Sequence, residues 1–140
     1  VQTSNIFAIT SNYSASRDFT FQNCEISGMI EMQVYGKPKT GLGVTKFINC
    51  IISDNKNIRE FGLRRSLINV WDGVEFINSS FYLWNKRKLI HSYANNIKDK
   101  RKGVITMSNS KFYDIDTRKA ISYTNILNEK TLTSDRILLK

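Results

Sequence analysis

Three side chains of this sequence are candidates for acid–base catalysis: Glu31, Asp72 and His91. Hydrolysis of a glycosidic bond needs two carboxyl groups, about 5–5.5 Å apart for retention or about 6.5–9.5 Å apart for inversion. A lyase instead needs a base that removes a proton next to a carboxylate, and cations that stabilise the resulting negative charge. Glu31 and Asp72 are the carboxylates that suit the first reaction, and no motif chooses between the two reactions.

Residues that could hold a substrate lie near these three in the sequence. The polar and aromatic candidates are Gln33, Asn69, Trp71 and Tyr93, and the basic candidates are Arg64, Arg65 and Lys88. Exposed aromatic rings beside polar groups suit sugar rings, and a basic border beside a sheet face attracts a linear polyanion. The alternative interpretation of the basic residues is that they occupy solvated turns and bind nothing.

A four-fold internal repeat predicts the elements that must position these residues. Its central asparagine is Asn23, Asn49, Asn78 and Asn109, at spacings of 26, 29 and 31 residues. Apolar residues stand two and four positions before the asparagine, and the alternation shifts by one residue after it. Strands of constant length joined by loops of variable length produce such a loose period.

Each repeat is predicted to hold three short strands, called segments A, B and C. Segment B precedes the asparagine, segment C follows it, and a further apolar stretch forms segment A. The segments A are predicted at 5–9, 29–34, 66–70, 89–93 and 120–123. Glu31, Asn69 and His91 then fall on one outward face, whereas Glu75 in a segment B is a poor partner for Glu31. Glycines at 43, 73 and 103 are expected to supply a positive φ before segment B.

This repeat resembles that of the pectate-lyase-like right-handed parallel β-helix superfamily, which includes phage tailspikes and polysaccharide lyases. The resemblance lies in the Asn-Cys and Asn-Ser bends and in the three-segment repeat. It implies an all-β fold, a single-stranded solenoid of about five three-strand coils. It also implies a substrate groove along the face of segments A or its bordering turns. A sandwich of short β-strands is the structural alternative.

Composition limits the remaining possibilities. The 140 residues suit one domain, 1–140, or a piece of a longer chain, and no apolar run is long enough for a transmembrane helix. The formal net charge of +9 is compatible with an acidic polysaccharide or with nucleic acid, but no nucleic-acid motif is present. Cys24 and Cys50 with one histidine make no zinc set, so neither metal nor cofactor is expected.

Two functions are therefore predicted. The first is binding or degradation of an acidic polysaccharide by an extracellular, secreted or virion-associated protein, with catalysis itself left open. The alternative is a non-catalytic structural or assembly module of a virion, appendage or cell surface. For either function the expected partners include further copies of the chain, for example in a trimer, or flanking domains, and no membrane.

Overall fold

The computed structural model describes residues 6–12, 19–35, 44–55, 66–70, 73–92, 105–132 and 137–140. These residues form fifteen strands and one helix. The strands are β1 Ile6–Asn12, β2 Thr20–Gln22, β3 Glu25–Ser27, β4 Met29–Tyr35, β5 Val44–Ile48, β6 Ile51–Ser53, β7 Ile68–Val70, β8 Gly73–Ile77, β9 Ser80–Leu83, β10 Ile90–Ser92, β11 Ile105–Ser108, β12 Lys111–Asp114, β13 Ala120–Ile121, β14 Thr131–Leu132 and β15 Ile137–Leu139. The helix is α1 Tyr123–Glu129.

Successive repeats place their strands side by side in three five-stranded sheets. Sheet A has the order β1-β4-β7-β10-β14, sheet B the order β15-β11-β8-β5-β2, and sheet C the order β13-β12-β9-β6-β3. The strand pairs are parallel, except that β13 runs antiparallel to β12. Equivalent positions of the repeats are therefore direct neighbours across each sheet.

The core lies between the three sheets and follows the alternation in the sequence. Side chains two and four residues before the repeat asparagine are buried from the second repeat onward, as are those one and three residues after it. Phenylalanine rings stack along this core, with centroids 5.1 Å apart for Phe21 and Phe47 and 4.9 Å apart for Phe47 and Phe76. Such ring pairs each add about 0.5–1.5 kcal/mol beyond the burial of their area.

The repeat asparagines make the bend between sheets B and C. Their φ angles lie between 48° and 57°, in the left-handed region that asparagine tolerates better than most residues. The N–H of each asparagine donates to a carbonyl at or just after the end of the neighbouring strand of sheet B. In addition, Nδ2 of Asn109 donates to Oδ1 of Asn78 at 2.7 Å. The expected positive φ at Gly73 is not found, because that residue begins strand β8.

The predicted fold class, an all-β single-stranded solenoid of about five coils, is wrong. The structure is an α/β-type arrangement of three sheets and a helix, and it contains both parallel and antiparallel pairing. The predicted solenoid and parallel β-helix, and the superfamily groove inferred from them, are therefore not supported for this protein. The departure lies in the last part of the chain, where residues 120–123 do not form a segment A.

A tight turn after β12 explains this departure. Oδ1 of Asp114 accepts hydrogen bonds from the N–H groups of Asp116 and Thr117, at 2.9 and 2.8 Å. The N–H of Arg118, whose φ is 62°, donates to the Asp114 carbonyl. The chain therefore reverses, and β13 pairs with β12 at the edge of sheet C rather than joining sheet A.

Helix α1 follows this reversal and covers the end of the core. Ser122 caps its N-terminus by accepting a hydrogen bond from the Asn125 N–H. Ile126 is buried with the core residues, and the Tyr123 hydroxyl donates to the Ser110 carbonyl at 2.7 Å. The fifth strand of sheet A is then β14, ten residues later than the predicted segment A at 120–123.

A buried ion pair joins the loops that follow β6 and β9. Nε of Arg87 donates to Oδ1 of Asp54 at 3.1 Å, and both side chains are completely buried. The other carboxylate oxygen, Oδ2, accepts the N–H of Trp84 at 3.1 Å. One carboxylate therefore fixes both the guanidinium and the backbone where the chain leaves sheet C.

Candidate functional site

Three of the predicted site residues are brought together on sheet A. Asn69 in β7 pairs with Glu31 in β4 on one side and with His91 in β10 on the other. Strands in a sheet lie about 4.8 Å apart, so Glu31 and His91 flank Asn69 in one row. The predicted shared face is present for these three residues.

Two residues of this row, Glu31 and Asn69, are buried, whereas His91 is partly exposed. Glu31 is 6% exposed and Asn69 is 1% exposed, while burial lowers the pKa of His91 and favours its neutral form. Nδ2 of Asn69 donates to the Ser66 carbonyl at 2.6 Å. Within the described part of the chain, Oδ1 of Asn69 and Oγ of Ser66 have no hydrogen-bond partner. A polymeric substrate has no direct access to side chains buried this deeply.

The other predicted residues are placed as follows. Gln33 pairs with Thr10 across sheet A through its backbone. Lys88 extends to the end of α1, where its Nζ donates to the Glu129 carbonyl, a position that suits a cation because carbonyls there carry partial negative charge. Outside the described residues lie Asp72, Trp71, Tyr93, Arg64 and Arg65.

An open recess lies on the outer face of sheet C, which the sequence analysis did not propose as a site. Its volume is about 270 Å³, just below the roughly 300 Å³ at which small-molecule pockets begin. We call it the tyrosine recess, and its lining residues are Glu25, Ile51, Ser53, Tyr82, Ile115 and Arg118.

The side chains four residues after each repeat asparagine create this recess. They are Ser27, Ser53, Tyr82 and Tyr113, which are neighbours across sheet C. The two tyrosine rings stack with centroids 5.2 Å apart. The short serine side chains do not fill the corresponding space above the sheet. The step from tyrosine to serine is therefore the wall of the recess.

Arg118 completes that wall. Its guanidinium lies over the Tyr82 ring, 4.8 Å from the centroid, in the geometry of a cation–π contact. The turn described above presents the arginine there, and its Asp114 carboxylate is held ionised. Hydrogen bonds from Thr117, then from Asp116, lower the pKa of Asp114. Arg118 is thus a positioned cation on an exposed aromatic surface.

The chemistry of the tyrosine recess is mixed. Ile51, 42% exposed, and Tyr82 give an apolar surface, while Ser53 and Glu25 give a hydroxyl and a carboxylate. Glu25 is the one carboxylate among the described lining residues, so the recess holds no acid pair for glycoside hydrolysis.

Among the described residues, no group of three or more His, Cys, Asp or Glu side chains is placed to hold a metal ion. No helix in this part of the chain has the length and apolar character that a membrane crossing requires. Cys24 and Cys50 are free thiols.

Comparison of the chain with protein-family models, with curated proteins and with solved structures gave no match.

Proposed function

We propose that this protein binds an acidic polysaccharide in the tyrosine recess, without cleaving it there. The observation that carries the proposal is the guanidinium of Arg118, held over the Tyr82 ring beside an open recess. A partner of this kind agrees with an extracellular, secreted or virion-associated location.

The apolar part of the recess suits the C–H face of a sugar ring. Ile51 is a large apolar side chain left exposed on the sheet, and the edges of Tyr82 and Ile115 adjoin it. A saccharide unit seated against these groups would cover apolar surface that water now contacts, which stabilises the complex.

The polar part of the recess suits an acidic sugar. A guanidinium binds a carboxylate through two parallel hydrogen bonds, and stacking on Tyr82 fixes the plane in which it does so. Glu25 and Ser53 can accept hydrogen bonds from sugar hydroxyls. The net charge of +9 on the whole chain also attracts an acidic polymer.

A binding titration tests this proposal. A short polyuronate would be titrated calorimetrically into the protein and compared with its methyl-esterified, uncharged form. We expect R118Q to weaken binding of the charged form by about ten-fold or more, since hydrogen bonds to charged groups contribute about 1.5–3 kcal/mol. The affinity for the esterified form should change far less.

K119Q is the matched control. It removes the same charge one residue away, from a side chain that does not line the recess. Its effect on affinity should stay within about three-fold, as for an exposed charge that makes no contact. Equal losses in R118Q and K119Q would show that net charge alone attracts the polymer, and the recess would not be its site.

A structural or assembly role is the second candidate, favoured by the two ends of sheet B. Phe19 beside β2 and Leu138 in β15 are each 51% exposed at these opposite ends. Edge strands with exposed apolar side chains can pair with the edge of another copy. Light scattering across a concentration series tests this: F19S should reduce the mass, and a monomer at every concentration would exclude self-assembly.

A further inference from the structure

Cys24 and Cys50 occupy the same position in two neighbouring repeats. Each follows its repeat asparagine, and the N–H of Ile51 donates to the Cys24 carbonyl at 2.9 Å. The pairing of Glu25 with Ile51 places the two cysteines side by side at the start of β3 and β6. The same position holds Ser79 and Ser110 in the next two repeats.

The two thiols point in the same direction. Sγ of Cys24 donates to the Gln22 carbonyl and Sγ of Cys50 to the Ile48 carbonyl, each at 3.4 Å and each two residues before the cysteine. Sγ of Cys50 also lies 3.5 Å from the Phe21 carbonyl of the preceding repeat. The Cβ–Sγ bonds are therefore nearly parallel, and the sulfurs are separated by about the strand spacing of 4.8 Å.

This arrangement suits a metal ion between the sulfurs better than a disulfide. A disulfide needs sulfurs about 2.05 Å apart and a dihedral angle near 90°, which parallel side chains do not provide. A zinc–thiolate bond is about 2.3 Å long, and two metal–thiolate bonds of roughly that length in a straight line span about 4.6 Å, close to the separation of the two sulfurs. Parallel Cβ–Sγ bonds at right angles to that line give each sulfur a near-ideal bond angle.

We propose that Cys24 and Cys50 bind one Cu(I) ion as a linear bis-thiolate. Thiolates select soft ions such as Cu(I), and two ligands suffice for it, unlike zinc, which takes four. The ion replaces both thiol protons, which pass to solvent, and no electron is transferred. Cys24 directly precedes β3, the edge strand of sheet C, and is only partly buried. The ion can therefore reach the sulfurs from this edge of the sheet.

Copper stoichiometry under anaerobic conditions tests this proposal. The protein would be incubated with Cu(I) in acetonitrile, challenged with a Cu(I) chelator and weighed by native mass spectrometry. The unaltered chain should retain one copper, and C24S and C50S should retain none. Both variants should fold, since serine already occupies this position in the next two repeats. Copper X-ray absorption should show two sulfur neighbours.

Moving the pair along the repeats separates geometry from thiol count. C24S/S79C places thiols at 50 and 79 in adjacent repeats, and after refolding with Cu(I) it should again retain one copper. C24S/S110C leaves the thiols two strand spacings, about 9.6 Å, apart and should retain none. Copper retention by C24S/S110C equal to that of the unaltered chain, or none in C24S/S79C, would overturn the proposal.

Discussion

Removal of the Asp54 carboxylate should destabilise the protein strongly, because this group holds a buried guanidinium. In Asp54→Ala the Arg87 guanidinium loses its buried carboxylate, which lies 3.1 Å away, and the Trp84 N–H loses its acceptor. The guanidinium cannot turn to water, because the Arg87 side chain is completely buried. The perturbation therefore leaves a buried charge with less compensation and removes one hydrogen bond from the backbone of Trp84.

The magnitude follows from these two losses. Breaking a buried ion pair by removing one partner costs about 3–5 kcal/mol, which includes the charge left behind. The lost hydrogen bond of the Trp84 N–H adds about 1 kcal/mol. Since a domain of this size is stable by about 5–15 kcal/mol, Asp54→Ala should lose about a quarter or more of the free energy of unfolding.

Urea unfolding monitored by tryptophan fluorescence measures this loss. Asp54→Asn, which keeps an oxygen for the Trp84 N–H, should lose less than Asp54→Ala. The double variant D54L/R87L should be more stable than Asp54→Ala, because it leaves no buried charge. A loss below about 1 kcal/mol in Asp54→Ala, within the range of a surface ion pair, would refute the reasoning.

Three further predictions concern single side chains. Asn78→Ala should lower the free energy of unfolding by about 1–3 kcal/mol, because alanine disfavours the left-handed φ of 50° and the hydrogen bond from Asn109 is lost. Asn78→Gly should lose less, since glycine tolerates this φ. Urea midpoints compare the two variants, and equal losses would contradict the role of φ. Burial lowers the pKa of His91, so below about pH 6.5 the unfolded chain binds more protons than the folded chain, and acid favours unfolding. Between about pH 7.5 and pH 5.5, H91Q should therefore lose less stability than the unaltered chain. Equal losses of stability in the two chains would contradict this role of His91. Hydrogen bonds to the carboxylate lower the pKa of Asp114, so this carboxylate stabilises the fold above about pH 4 and ceases to do so as it protonates. D114N should therefore be less stable than the unaltered chain at neutral pH. In thermal unfolding, the difference in midpoint between the two chains should disappear in acid.

The inward rows of the core could be predicted because alternation has a period of two. Phe47, Phe76 and Met107 were assigned to one face from spacing alone, and all three are buried and paired in register. Phe19 departs from its row and is half exposed, because it precedes β2 at the open edge of sheet B. A periodic pattern shows which face a residue occupies but not where the sheet stops.

The end of the fold could not be predicted from that periodicity. Residues 120–123 are as apolar as the earlier segments A, so they were assigned to sheet A. The decisive signal is the hydrogen bonding of the Asp114 carboxylate to the next turn, which reverses the chain before those residues.

The candidate site was missed for a different reason. Ser27, Ser53, Tyr82 and Tyr113 all stand four residues after a repeat asparagine, a relation visible in the sequence. The row of Glu31, Asn69 and His91 is in register as predicted from the alternation, but Glu31 and Asn69 are buried. Burial of an outward row depends on what packs over it, and periodicity carries no information about that.

The Asp54–Arg87 pair could not be predicted either, because its residues lie 33 positions apart and no sequence pattern links them.

Mapping amide chemical shifts during titration with a short polyuronate tests the central claim most directly. If the tyrosine recess binds the polymer, the largest shifts should fall on Ser53, Tyr82 and Arg118, and they should follow a single saturating curve. Largest shifts along β4, β7 and β10, or no saturable shifts at all, would contradict the account.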